Sequence, residues 1–497
     1  MKNILNNISR EIHLPTWLII ILVIGFILRI PSFFEPYWYG DEQIYLTIGQ
    51  GIGKELLLYR DLYDNKPPLL YLVAAIAGNL FWFKVILGFW SLTTIVLFYK
   101  LAQLLWAGNE RVVRYATITL ALLTTIPLLE GNIANAELFM ILSTIASFLI
   151  LLSGRINPRR VFVAGVVAGI GVLFKVPSLI DIGVPIVLWY AAWTLRHMKF
   201  SQWVAQSGLF VAGVVSPLLL SVIFFAIAGV AREYISAAFL QTVGYLSSWR
   251  SAEGNFFTRN QPLLLRLFIG AFVVAMLLRL YQRRRVSRSF LFASTWFVLS
   301  LFAALLSERP YPHYLIQIVP SFSLLVGVTL AERVKEQFYP YPLFALLGAA
   351  LVFYKFTYYA VFPYYENFLG WVMKRQTDTQ FFSRFDQRTP RNYEIAQFLT
   401  QSAQDDDRLF VWGDDPELYA LSHLTPATRY VSRYHVKDLR VFDEVAKSLQ
   451  SNPPRFIVTT SSELEFPQLA TLLNLQYVLV SYVQNARIWL HVAVNKE

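Results

Sequence analysis

The chain has 497 residues, of which 56% are hydrophobic, 16% aromatic and 15% charged, a balance too apolar for a soluble domain of that length. Its 43 Lys+Arg exceed 32 Asp+Glu, but the basic residues gather in short clusters between apolar runs, where they set membrane orientation, so nucleic acid is not a partner. With no cysteine, disulfides, thiolate metal sites and a thiol nucleophile are excluded.

Lys2 and Arg10 precede an apolar run from Trp17 to Leu28, and Arg29, Ile30 and Pro31 follow without a small-residue cleavage site, so this run reads as a retained first span. Apolar runs long enough to cross about 30 Å of hydrocarbon centre on residues 17–33, 84–106, 115–129, 136–153, 160–175, 179–195, 204–228, 262–280, 289–306, 313–331 and 342–362, eleven in all. Pro67 to Phe81 is apolar but short and opens with two prolines, which fits a re-entrant or interfacial helix on one face. With that choice the basic loops fall on the cytoplasmic side: Arg111 and Arg114; Arg155, Arg159 and Arg160; Arg196, His197 and Lys199; Arg279, Arg283, Arg284, Arg285 and Arg288; Arg333 and Lys335. A multi-pass protein of the cell membrane follows, with a cytoplasmic amino terminus and an extracytoplasmic carboxy-terminal domain.

From about Tyr364 the pattern becomes mixed and water-soluble. Strands are predicted at Arg408–Trp412, Arg455–Thr460, Tyr477–Tyr482 and Ala486–Val494, and helices at Pro416–Leu421 and Phe442–Leu449. The fold class is therefore an all-α polytopic membrane domain of about 11 transmembrane helices over residues 1–362, with its first outer loop at 35–83, and a small α/β domain over 363–497.

The unusual polar residues fall on the outer face of this topology. The first outer loop carries Asp41-Glu42 and then Tyr59-Arg60-Asp61-Leu-Tyr63-Asp64-Asn65-Lys66-Pro67-Pro68. Later outer turns carry Glu130, Asn132, Asn135 and Glu137, then Lys175 with Asp181, then Glu308-Arg309-Pro-Tyr311-Pro-His313. Ionisable groups at span ends are costly to bury alone, and several at one depth mark a shared cavity. Single members have plainer readings, a snorkelling Lys175 or a Lys175–Asp181 structural pair among them. Adjacent helical residues point about 100° apart, so Asp41 and Glu42 cannot both face one ligand atom; the pair reads either as one catalytic carboxylate with an orienting neighbour or as a solvated helix start at the positive dipole end. Gly49-Gln-Gly51-Ile-Gly53-Lys54 lacks the spacing of a phosphate loop, and Asp405-Asp406-Asp407 reads as a solvated loop. A secondary transporter is the competing class, but its charges belong near mid-span and its halves repeat, which they do not here.

Taken in order, the acidic pair after span one, the Tyr59–Pro68 segment, Asn135-Ala-Glu137 and Arg309-Pro-Tyr-Pro-His313 resemble the polyprenyl-phosphate-sugar-dependent glycosyltransferases of the GT-C fold. The likeness is to the dolichyl-phosphate-mannose-protein mannosyltransferase family, glycosyltransferase family 39, and its bacterial relatives, including the aminoarabinose transferases of lipid A. Val411–Tyr419 with Arg429-Tyr430 resembles the soluble tail of bacterial members, and the Trp-Trp-Asp motif of oligosaccharyltransferases is absent. The resemblance implies a glycosyltransferase with Asp41 as catalytic carboxylate, Glu42 beside it and Lys66 on the donor phosphate. Substrate contacts are expected from Tyr59, Arg60, Asp61, Tyr63, Asn65, Asn135, Glu137, Lys175, Arg309, Tyr311 and His313. The implied partners are a polyprenyl-phosphate-linked sugar, membrane lipids and an acceptor on a protein, glycolipid or cell-wall polymer. Neither cofactor nor metal is expected, because a phosphate monoester leaves readily when side chains match its charge.

Overall fold

The computed structural model describes residues 14–241, 256–331, 334–404 and 406–492. Lys2, Arg10, Arg333, Asp405 and the end of the Ala486–Val494 strand lie outside them. The chain divides into two compact units, one of residues 1–30, 85–231 and 238–361, the other of residues 31–84, 232–237 and 362–497.

In the first unit, helices form where the apolar runs stand. Among the described residues of the chain, five helices are long and apolar enough to cross a membrane: Thr16–Phe34, Leu80–Leu105, Val176–Thr194, Phe200–Ile227 and Asn260–Gln282. Ala136–Leu152, Arg288–Ala304, Val319–Leu330 and Tyr341–Tyr354 are shorter apolar helices. Pro158–Phe174 and Phe200–Ile227 cross at small residues: a Cβ on Gly165 would stand 2.2 Å from the Phe210 carbonyl oxygen, and one on Gly213 would stand 2.3 Å from that of Phe162. Close backbone approach of this kind gains dispersion contacts where lipid offers no hydrophobic drive. The run read as one span over 342–362 stops at Tyr354, because Lys355 turns left-handed at φ 55°. The backbone then bonds elsewhere, Thr357 N–H to the Pro310 carbonyl and Tyr359 N–H to that of Leu128; apolarity alone carries no signal for that break.

In the second unit residues 31–84 and the carboxy-terminal segment form one body. Its five-stranded sheet comprises β1 (Arg408–Trp412), β2 (Thr425–Pro426), β3 (Phe456–Thr459), β4 (Tyr477–Val483) and β5 (Ala486–His491) in the order β2-β1-β3-β5-β4. β1 runs parallel to β2 and β3, while β5 is antiparallel to β3 and β4. Helices Val361–Val372, Asp378–Ser383, Thr389–Ser402, Arg433–Leu439 and Pro467–Gln476, absent from the sequence reading, complete the segment. Helix Gly40–Gly53 docks on it: Thr47 Oγ1 donates to the Pro416 carbonyl at 3.2 Å and Gln50 Nε2 to that of Ala420 at 3.1 Å. Helix Leu69–Ala77 starts behind Pro67-Pro68, whose fixed φ suits a first turn, and ends at Gly78 with φ 70°. It presses on Gly49 so closely that a Cβ there would lie 2.5 Å from Ala75 N. The glycine run rejected as a phosphate loop is thus a packing surface.

Candidate active site

Helix Gly40–Gly53 carries Asp41 and Glu42 in its first turn, where the positive end of the helix favours carboxylates. Asp41 Oδ2 lies 3.6 Å from Lys66 Nζ and accepts from Tyr45 Oη at 3.0 Å, one helical turn on. The Asp41 side chain keeps 33% of its exposure and that of Lys66 19%, so both can meet a ligand. The Lys66 ammonium stands 4.9 Å from the Tyr45 ring centre, and Tyr45 in turn packs edge-on to Tyr71.

Glu42 points elsewhere. Its Oε1 is 2.7 Å from Lys84 Nζ, which also contacts Glu35 Oε2 at 3.0 Å, and all three side chains are fully buried. Glu35 further accepts from Tyr364 Oη at 2.6 Å and from Trp38 Nε1 at 3.3 Å. Charges removed from water persist only when paired in this way, and the arrangement fixes the start of the helix that bears Asp41.

The Lys66 loop is held from several sides. Asp64 is buried; its Oδ2 lies 3.7 Å from Lys66 Nζ and accepts from Tyr71 Oη at 2.8 Å, while Oδ1 accepts from Asn65 N–H at 2.8 Å and lies 3.4 Å from His435 Nε2. Burial pushes the Asp64 carboxyl up, but Lys66, His435 and the Asn65 amide outweigh it and hold the group well below the usual carboxylate range. Tyr59, left-handed at φ 73°, is pinned by its N–H on the Leu62 carbonyl and its Oη on the Lys66 carbonyl at 2.8 Å. Burial first, then Tyr234 and Asp64, push the Tyr59 phenol up, so it stays a donor. Tyr63 N–H bonds the Arg429 carbonyl at 2.8 Å. Arg60 and Asp61 pair with each other at the surface, and Asp61 Oδ2 also takes Leu57 N–H, closing the turn. In the same unit Arg60, Asp61, Arg408, Arg429, Tyr430 and Glu444 help to line a separate cleft of about 280 Å³.

The first unit gathers its own cluster. Lys175 Nζ pairs with Glu137, and stands 4.1 Å from the Tyr314 ring centre. His313 Nδ1 is 2.6 Å from Glu130 Oε2, which also accepts from Asn135 Nδ2 at 2.9 Å, and His313 Nε2 is 3.9 Å from Glu137. Tyr311 stacks on His313, Arg309 is half-buried, and Asp181 accepts from Ser300 and Gln317. Asn135, Glu137, Lys175, Tyr311 and His313 are therefore one cluster, and Asp41, Lys66 and the Tyr59–Asn65 loop another. Among the described residues no group of three or more His, Asp or Glu side chains is arranged to hold a metal ion.

No family model and no curated protein matches the chain. Solved structures do. ArnT from Cupriavidus metallidurans bound to undecaprenyl phosphate aligns with a TM-score of 0.58 at 15% identity, over 96% of this chain and 98% of that chain. Its apo form gives 0.59 at 17% identity over the same shares. The oligosaccharyltransferase of Archaeoglobus fulgidus tethered to an acceptor peptide aligns at 0.45 and 13% identity, over 94% and 72%. The chain has the GT-C fold.

This GT-C chain is a multi-pass membrane protein, its apolar helices joined to a small carboxy-terminal sheet. Sequence reasoning passed over Tyr45, Glu35, Lys84 and His435, and named Asp64 without giving it a role. Tyr45 had a signal, its four-residue spacing from Asp41 on one helix. Lys84 had one too, a lone cation at the head of an apolar run. Nothing local marked His435, which reaches Asp64 only through the tertiary fold.

Proposed function

We propose that this chain is a glycosyltransferase that moves one sugar from a polyprenyl-phosphate donor to an acceptor hydroxyl at the extracytoplasmic face of the cell membrane. The observation that carries the reading is the pairing of a one-third-exposed Asp41 with Lys66 at 3.6 Å, in a chain whose fold matches ArnT bound to undecaprenyl phosphate. The acceptor oxygen attacks the anomeric carbon as the bond from that carbon to the phosphate oxygen breaks, so the configuration inverts in one displacement. The acceptor proton passes to Asp41 late in the step, since a carboxylate is too weak a base to ionise an alcohol beforehand. The polyprenyl phosphate departs with its charge matched by Lys66, without a protonating acid or a metal. Glu42, sealed against Lys84, leaves the base role to Asp41. The reading includes eleven spans with the amino terminus in the cytoplasm, as the basic loops require.

Incubating membranes that contain the protein with radiolabelled polyprenyl-phosphate sugars tests it. Label should move to a lipid, protein or polymer fraction with wild type and not with Asp41→Asn, while insertion and donor binding persist in the variant. Equal labelling by the two proteins would overturn the assignment.

A further inference from the structure

Lys66 carries an unresolved conflict within the proposed reaction. An ammonium that must receive a lipid-borne phosphate already stands 3.6 Å from one carboxylate, Asp41, and 3.7 Å from another, Asp64. Asp41 is a third exposed, but Asp64 is buried and ionised beside it, and a buried carboxylate with no other partner would draw the ammonium inward. The carboxy-terminal segment supplies a second partner. His435, on helix Arg433–Leu439, is 4% exposed, and its Nε2 lies 3.4 Å from Asp64 Oδ1, the oxygen that Lys66 does not face. The ring is held edge-on to Tyr63 with centroids 5.4 Å apart, and against Tyr434 at 4.1 Å. Neighbouring cations have their own partners: Arg433 pairs with Asp414 and Glu465, Lys437 with Glu465, and Arg429 with Glu444.

We propose that His435 is a positioning residue for the donor phosphate: by engaging Asp64 from the side opposite Lys66, it leaves the Lys66 ammonium directed at the ligand. The inference rests on the donor class proposed above. It gives the carboxy-terminal segment a definite task, because a ring from that segment then governs how strongly the loop after Asp41 holds a phosphate.

The test uses the full chain in nanodiscs, with undecaprenyl phosphate as the binding probe and labelled undecaprenyl-phosphate sugars as donors. His435→Gln should weaken undecaprenyl phosphate binding and raise the donor KM by about tenfold, the loss of one charge-assisted contact, with kcat within about twofold. His435→Lys, which sets an ammonium facing Asp64 Oδ1, should recover most of the difference. The deciding variant is the pair Asp64→Asn with His435→Gln. With the Asp64 charge gone His435 has nothing to hold, so the double variant should match Asp64→Asn alone. A merely structural role for His435 gives losses that add in the double variant, or a fall in kcat and in thermal stability with KM unmoved, and either result overturns the proposal. Wild-type protein that neither binds undecaprenyl phosphate nor transfers from it overturns instead the donor class itself; transfer by wild type with an unchanged KM in His435→Gln overturns the positioning role alone.

Discussion

Two lysines of the second unit each face two carboxylates, and solvent separates their chemistry. Lys84 lies between Glu35 and Glu42 with all three side chains fully buried. Lys66 lies between Asp41 and Asp64, with Asp41 a third exposed. The same residue types therefore make a sealed strut in one place and an open, loadable site in the other. Asp41 and Glu42 are neighbours on one helix, and the turn of about 100° per residue sends them to different lysines.

That contrast breaks most sharply at Asp41. Asp41→Asn should lower the rate of sugar transfer by about a thousandfold, the scale of a lost general base, with thermal unfolding unchanged; a variant that keeps a tenth of the activity removes Asp41 from the chemistry. The opposite signature belongs to Lys84. Lys84→Met leaves two carboxylates buried without their cation and should cost about 3–5 kcal/mol of stability, seen as a much lower Tm or as failure to accumulate folded protein. Lys66→Ala should raise the donor KM by about tenfold or more and also lower Tm, though less than Lys84→Met does, because buried Asp64 loses Lys66 but keeps His435 beside it. Tyr45→Phe removes one hydrogen bond to Asp41 and should cost about 1 kcal/mol, a several-fold drop in rate.

The smallest effect concerns acid. Asp64 is held below its ordinary pKa, so the stability it contributes is present above the usual carboxylate range near pH 4 and is lost as pH falls toward the lower folded value. Asp64→Asn should therefore flatten the decline of Tm between about pH 5 and pH 3. A variant as acid-sensitive as wild type would show that Asp64 does not set that decline.

Much of the fold was legible because lipid demands long apolar runs, and those runs stand wherever the helices of the first unit form. Of the helices missed after Tyr364, Asp378–Ser383 and Arg433–Leu439 have six and seven residues, too few to show a periodicity, whereas Thr389–Ser402, with fourteen, was long enough to be found. Asp41 and Lys66 were legible as charges clustered around one loop. His435 was not, because a lone histidine in a polar stretch reads as surface.

The sequence by itself determined the membrane class, the apolar helices and the acidic pair at the head of helix Gly40–Gly53, all of which follow from local composition and periodicity. Only the tertiary structure decided which carboxylate meets which lysine, that residues 31–84 fold with the carboxy-terminal segment, and that His435 closes on Asp64. The reason is that burial and ion pairing depend on distances in space between residues far apart along the chain, and no local pattern encodes those distances.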